Sequence, residues 1–521
     1  MHVLAGTLGK KKRGTGTGMP SLMEKLEYYA TRQPDAPFVE TVESDETLTY
    51  AGAYRAVAGL RRLLGTEPRT IALAVPGGIV AAVVWLAALT GGHRLVPLSP
   101  EATADERAHM GRRVHPDVLI VERTGQERAF DVPSARCYTS GDLMERIATW
   151  AVDASPHDVP AAEGSVRLTT SGTTGEPKGV ILTASQIAWT ADHIRSSHRL
   201  TSADRGLTPL PFFHVNAPVV SLCASLMAGA TVVIAPRFSR QRFWEWVERE
   251  EITWASIVPT IVALLLQTEK PAFLPGKLRF VRTASAPLPA AHLLAFESRF
   301  GVPVVETYGL SEAGSQVAAN PVPPGKHKPG SVGVPVGVEM RVCVPRLDVD
   351  DHSLTPVAVG HEGEICVKGP GVIAGYEGGA GAESFVSGWF RTGDVGHQDS
   401  EGYIYITGRL RDVINRGGEK IAPREIEEVL LQHPELTDAA VVGEPDPLYG
   451  QHVAAYVVPA NANTRGLVER LRAYAAERLT AYKVPEVFYA VETLPRNRTG
   501  KIARQMLLQR EAIAARELRA G

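Results

Sequence analysis

The sequence predicts an α/β protein with a large N-terminal domain of mixed, largely parallel sheets with helices and a small β subdomain, followed by a smaller C-terminal α+β domain. Three observations predict it. Between residues 48 and 233, short β-branched runs alternate with longer amphipathic stretches, the rhythm of strand–helix units laid on a parallel sheet. Between 330 and 406, glycines and prolines punctuate short strands instead, as in a small β unit. After Arg409 the pattern changes again, to helix and strand signals over a tail of about 110 residues, an ordinary size for a domain.

Taken in order, residues 9–18 (GKKKRGTGTG) are basic and glycine-rich with no apolar run after them. Residues 1–20 are therefore expected to be a disordered basic leader rather than a secretory signal, and Met19 stands as an alternative start. Residues 71–89 are apolar enough for a membrane span, but Pro76, Gly77 and Gly78 divide them into a strand at 70–75 and a helix at 79–89. The same rhythm predicts strands at 231–234, 254–258, 278–282 and 302–306, with helices at 243–250 and 290–300. Residues 364–368 and 403–406 read as strands of the β subdomain. The tail reads as helix 423–432, strand 439–443, helix 464–479 and strand 486–491. No internal repeat of solenoid period is present.

A chain of 521 residues with 44% hydrophobic content exceeds one ordinary core. Its 55 Lys and Arg against 57 Asp and Glu provide no global field for a nucleic acid or an anionic membrane. Any anion must be held locally. Cys137, Cys223, Cys343 and Cys366 are far apart with no CxxC spacing, which argues for plain thiols in a reducing, cytoplasmic setting and against a disulfide or metal framework.

Residues 168–180 (LTTSGTTGEPKGV) carry the strongest local signal. Glycines such as Gly172 let backbone N–H groups approach an anion. Thr169, Thr170, Ser171, Thr173 and Thr174 add hydroxyl donors, and Lys178 adds a positive charge. The loop suits phosphate. It is not a Walker A motif, because Pro177 stands five residues beyond Gly172 where that pattern needs glycine. Alone, such a stretch is most often just a flexible loop.

Four further segments follow in order: 306–314 (ETYGLSEAG), 388–394 (GWFRTGD), 408–427 (GRLRDVINRGGEKIAPREIE) and 497–502 (NRTGKI). With the first, they closely resemble the core motifs of the adenylate-forming superfamily of acyl-CoA synthetases, peptide-synthetase adenylation domains and luciferases, from about residue 48 to 504. The resemblance implies ATP, Mg²⁺ and coenzyme A as cosubstrates and cofactor. It makes Lys501, Glu312, Thr170 and His214 the expected catalytic residues. Tyr308 would stack on adenine, Ser311 would bond the α-phosphate, and Glu312 would hold Mg²⁺, a hard cation suited to carboxylate and phosphate oxygen. Asp394 would accept from both ribose hydroxyls with Arg409 nearby, and Ser285, Ala286, Pro287, Glu306 and Thr307 would complete the nucleotide site. Lys501 would stand where charge concentrates between carboxylate and α-phosphate in the transition state.

The same resemblance implies an adenylation domain at 21–408, a hinge at 409–411 and a mobile C-terminal domain at 412–521 that rotates between the two half-reactions. Arg411 takes the hinge position, where lysine or aspartate is usual. After rotation Lys501 would withdraw, and Asn415, Gly417, Gly418 and Lys420 would line the channel for the pantetheine arm.

His214, Asn216, Ser285, Gly309 and Ser315 are the expected lining of the acid pocket. The likeness is greatest to oxalyl-CoA and related small-acid synthetases, over residues 238–266, 282–287 and 320–333. Those enzymes generally carry a histidine where Ser315 stands. A serine supplies no charge for a second carboxylate, which argues against oxalate. An amino acid is disfavoured because 212–217 holds no aspartate to read an amine. Passing the adenylate to a separate carrier protein or an amine, including activation of nitrite for diazotisation, is the alternative reading; a non-catalytic paralogue is a third, opposed by the presence of Lys501, Glu312 and Asp394. A serine-hydrolase elbow at 309–314 fails because Ala313 replaces its second glycine.

Overall fold

The computed structural model describes residues 19–518 apart from 43, 45, 154–159, 171–177, 270, 272–275, 346–353, 462–463 and 497–500. Most of the expected leader therefore lies outside the described residues.

Two large sheets form the N-terminal body. One has six strands in the order Arg136–Thr139, Val118–Val121, Thr70–Ala74, Arg94–Pro97, Ser165–Thr170, Lys178–Thr183. All neighbours in it run parallel except the last pair. The other has nine, from Val334–Pro335 through Ala318–Ala319, Val304–Tyr308, Phe280–Thr283, Trp254–Ile257, Arg205–Thr208, Thr231–Ile234 and Pro37–Thr41 to Thr47–Thr49. Its six central strands are parallel and its edges antiparallel. The strand interiors are β-branched runs buried on both faces, such as Val118–Val121 and Thr231–Ile234.

The helix Ile79–Thr90 explains why its segment is apolar enough for a membrane. All twelve of its residues are buried, in one core that also takes in side chains from both sheets. A helix hydrophobic all round belongs inside a large core. Among the described residues no helix is long and apolar enough to cross a membrane.

A five-stranded antiparallel sheet follows, with Glu339–Cys343, Gly363–Lys368, Trp389–Gln398 and Phe385–Val386 in order and Ile404–Arg409 paired to Trp389–Gln398. This is the glycine- and proline-punctuated region. A four-stranded sheet of Leu436–Asp446, Gly450–Pro459, Val487–Ala490 and Arg516–Leu518 ends the chain. The helices Pro423–Leu430 and Leu467–Ala476 share a separate core with it. The strand read at 439–443 is the middle of a longer one, while Gly450–Pro459 and Arg516–Leu518 were not anticipated.

Candidate active site

The strands Ser165–Thr170 and Lys178–Thr183 are antiparallel neighbours, with Thr170 opposite Lys178. Ser171, Gly172, Thr173 and Thr174 lie outside the described residues, as do the side chains of Thr169 and Thr170. The paired strands fix where that loop leaves the sheet and where it returns. Lys178 Nζ stands 4.9 Å from the centre of the Tyr376 ring, a cation–π contact. Glu377 holds the first strand, accepting from Arg167 Nε at 2.5 Å with Arg94 Nη1 at 3.7 Å.

Strand Val304–Tyr308 delivers the next group, because the chain turns at its end into the short helix Ser311–Ala313. Gly309 in that turn has no substitute: a Cβ there would lie 1.1 Å from the Ser315 carbonyl oxygen. The turn sets Glu312 against Tyr376, whose hydroxyl donates to Glu312 Oε1 at 2.7 Å. Burial, then the Glu312 charge, push the Tyr376 pKa up, so the phenol stays a donor. Ser311 is half-buried beside it.

Tyr308 donates its own hydroxyl to Asp394 Oδ2 at 2.5 Å, and Arg409 Nε meets Asp394 Oδ1 at 2.7 Å. Asp394 is buried, and Arg409 faces it directly across the sheet. Burial first and Asp394 second raise the Tyr308 pKa. The turn that presents Asp394 is held from below: Glu364 accepts from Arg391 Nε at 2.8 Å and from the Gly393 N–H at 3.1 Å. Both Glu364 and Arg391 are buried, so this ion pair is dry and geometrically demanding.

Lys501 arrives from the far end of the chain, next to the antiparallel bridge between Arg496 and Ile502. Surrounding protein lowers its ammonium pKa, and Arg409 and Arg411 push the same way, against the pull of Asp394 and Glu312. Those influences put Lys501, Arg409, Asp394 and Glu312 in one electrostatic neighbourhood. Glu306, on the strand beneath, is 2% exposed; burial pushes its carboxyl up to about 7, offset in part by Arg424 from the C-terminal segment. Thr307 donates to the Thr283 carbonyl at 3.1 Å, tying its strand to the one that ends before Ser285, Ala286 and Pro287.

Of the expected acid-pocket residues, Asn216 and Ser285 are joined directly, with Asn216 Nδ2 donating to Ser285 Oγ at 3.2 Å. Asn216 opens a π-helical stretch, Asn216–Cys223, a local widening of the helix often found at functional sites. Ser285 and Ser315 both have left-handed backbones, with φ of 77° and 109°. Such strain persists only where the surroundings over-determine it. His214 is half-buried, its ring 4.4 Å from that of Phe213.

Asn415, Gly417, Gly418 and Lys420 share a two-residue hairpin between Ile414–Arg416 and Glu419–Ile421, with Asn415 opposite Lys420. Gly417 and Gly418 have φ of 60° and 98°, so the turn itself demands glycine. Arg411 lies in the short helix Leu410–Asp412, 3.5 Å from Asp412.

Tyr376, Glu377, the Arg391–Glu364 pair and Arg282 were not among the expected site residues. Arg391 lies inside the motif segment 388–394, and Arg282 had a local signal as a charge inside an otherwise uncharged strand, Phe280–Thr283.

The class of protein that this fold and motif set define is an AMP-forming acid–thiol ligase. The AMP-binding enzyme family pattern matches residues 26–377, and that of the AMP-binding enzyme C-terminal domain matches 425–501. The chain belongs to the AMP-binding enzyme family. It is 37% identical to a sulfoacetate–CoA ligase of Cupriavidus necator, over 92% of this chain and 96% of that one. It is 33% identical to an oxalate–CoA ligase of Arabidopsis thaliana, over 93% and 97%. Among solved structures, ATP-bound MatB from Rhodopseudomonas palustris superposes with a TM-score of 0.83 at 26% identity, covering 94% of this chain and 98% of that one.

Proposed function

We propose that this enzyme activates a small carboxylic acid with ATP as the acyl-AMP, releasing pyrophosphate, and then transfers the acyl group to coenzyme A. The observation that carries the reading is the convergence of Lys501 on Asp394, Arg409 and Glu312 from widely separated parts of the sequence. Relatives named for small acids joined to CoA support the substrate class and the acceptor.

In the first half-reaction the carboxylate oxygen attacks the α-phosphorus as its bond to the bridging oxygen of pyrophosphate breaks. Lys501 balances the charge that gathers between the two reactants. Asp394, steadied by Arg409 and Tyr308, accepts from the ribose hydroxyls, and Tyr308 offers its ring to adenine. The hairpin loop ending at Lys178 and Ser311 take the phosphates. His214 and Ser315 border the acid, with Asn216, Ser285 and Gly309.

Mg²⁺ fits the donor set. Glu312 has one oxygen on Tyr376 and a second to offer. That suits an ion held chiefly by a single carboxylate and the substrate's own phosphates, whose charge it neutralises when bound. In the second half-reaction residues 412–521 turn about 409–411, Lys501 leaves, and the hairpin of Asn415, Gly417, Gly418 and Lys420 borders the pantetheine thiol that attacks the acyl carbonyl and expels AMP. A cytoplasmic setting, where reduced thiols and coenzyme A coexist, suits the four free cysteines.

The test is pyrophosphate release with ATP and Mg²⁺ across small acids, with and without coenzyme A. Release that depends on one acid and turns over with coenzyme A is expected. Release indifferent to coenzyme A would transfer the acceptor role to a carrier protein or an amine, and silence with every acid would overturn the reading.

A further inference from the structure

We propose that Arg282, Asn216 and Ser285 form a subsite for a second anionic group, so that the acid activated here is a short dianion, an inference that presupposes the acid:CoA ligase reading above. Arg282 sits mid-sheet, opposite Ser256 on one neighbouring strand and Val305 on the other, and no solvent reaches it. Strands buried on both faces are normally apolar, so a guanidinium there is a costly choice. Its Nη1 donates to Asn216 Oδ1 at 2.8 Å and to Ser256 Oγ at 3.3 Å. Its Nε and Nη2 have no acceptor among the described residues.

No carboxylate among the described residues pairs with this charge. Other buried arginines at the site have acids of their own: Arg391 has Glu364 at 2.8 Å and Arg167 has Glu377 at 2.5 Å, while Asp204, the acid on the neighbouring surface, is taken by Arg279 at 2.7 Å. His198, beside Arg282, adds no negative charge and is itself held neutral, its pKa pushed down to about 3 by burial and then by Arg282 and Arg279. Burial lowers Arg282 only to about 9, so it remains charged at neutral pH. The region therefore carries an unneutralised positive charge in a dry setting, where attraction to an anion is least screened.

The hydrogen bonds carry that charge toward the acid pocket. An arginine can only donate, so Asn216 must turn Oδ1 to it and Nδ2 to Ser285. Ser285 Oγ thus accepts from Asn216 and keeps its own proton to give. Three donors in series, each polarised by the one before, end in a hydroxyl on a half-buried, left-handed residue at the pocket. The carboxylate that reacts is committed to the α-phosphate, so the group met by this series is a second anion. Ser285 lies two residues past the end of a strand that neighbours Val304–Tyr308, and one strand spacing is about 4.8 Å, which calls for a spacer of one to a few atoms.

The test compares kcat/KM for pyrophosphate release by the wild-type enzyme with dianions and with monoacids of the same shape: oxalate against isobutyrate, malonate against 3-methylbutanoate, succinate against 4-methylpentanoate, and sulfoacetate against 3,3-dimethylbutanoate. At least one dianion should exceed its partner by roughly 30-fold or more, the scale of leaving one member of a buried charge pair unmatched. Arg282→Met should erase that preference while MgATP still raises the melting temperature. If this variant does not fold, Ser285→Ala, which removes only the last donor, should reduce the preference by about tenfold. Activity on the monoacids without preference for any dianion would overturn the subsite and leave the ligase reading intact, as would a preference that survives both substitutions. No release with any acid would overturn both.

Discussion

Tyr376 joins two groups of opposite charge, donating its hydroxyl to Glu312 Oε1 at 2.7 Å while its ring lies 4.9 Å from the ammonium of Lys178. One side chain thus sets the distance between the proposed magnesium-binding carboxylate and the cation at the foot of the proposed phosphate loop. A hydrogen bond to a charged group contributes about 1.5–3 kcal/mol. Tyr376→Phe keeps the ring and loses the bond, and should lower kcat/KM for MgATP roughly 10- to 100-fold, with partial recovery at high Mg²⁺. Tyr376→Leu should cost more, because the cation–π contact is lost too. Titration of pyrophosphate release with Mg²⁺ checks this; unchanged Mg²⁺ dependence in Tyr376→Phe would remove the positioning role.

Lys501 offers a separation of the half-reactions. Lys501→Ala should slow acyl-AMP formation by roughly 10²- to 10³-fold, the usual loss for one transition-state donor, while transfer of the acyl group from supplied acyl-AMP to coenzyme A continues. Single-turnover assays of each step measure this. Equal losses in both would contradict a lysine that leaves between them.

Much of this was legible before any coordinates, for a physical reason. Strand and helix periodicity marked the parallel core because those strands are buried on both faces and read as apolar runs, as Thr231–Ile234 does. The residues proposed for the site stood out because they lie in compact motifs, and Asp394, Arg409, Glu312 and Lys501 share one electrostatic neighbourhood although as many as 189 positions separate them. Partners held only by tertiary contact were not legible. Tyr376 and Glu377 act through side chains brought from the connection between Gly363–Lys368 and Phe385–Val386, and nothing in residues 374–379 points to Glu312 or Arg167. The strand Arg516–Leu518 was missed because three residues carry too little pattern to register.

The hairpin tip at Gly417 and Gly418 gives a test of the second half-reaction. A Cβ on Gly418 would meet nothing within 4 Å, so Gly418→Val acts through the backbone, where φ is 98° and a β-branched residue is strained. That strain, about 1–3 kcal/mol, should displace the tip and slow transfer to coenzyme A by roughly tenfold or more, with adenylation changed far less. Stopped-flow measurement of the two steps decides it, and equal slowing of both would sever this hairpin from the thiol channel.

Two buried groups at the nine-stranded sheet make opposite claims on stability as pH changes. Glu306 is pushed from its ordinary 4.5 up to about 7, chiefly by burial. Above 4.5 the unfolded carboxyl is ionised while the folded one keeps its proton, so stability falls as pH rises from about 4.5 to about 7, by about 3 kcal/mol in all. His198 is pushed from 6.5 down to about 3, again chiefly by burial. Below 6.5 its unfolded ring takes a proton that the folded ring refuses, so stability falls as pH drops from about 6.5, by roughly 1.4 kcal/mol per pH unit. Between about 4.5 and 6.5 the two slopes are equal and opposite, and they offset each other in the wild type. Glu306→Gln removes one slope and should leave a protein whose melting temperature climbs with pH across that window relative to wild type. His198→Phe, which fits the ring cluster of Trp254 and Phe280, removes the other and should give a melting temperature that declines with pH. Melting curves at half-unit steps from pH 4.5 to 7 measure both, and difference curves that stay flat for both variants would show that neither group is held out of its ordinary ionisation by the fold.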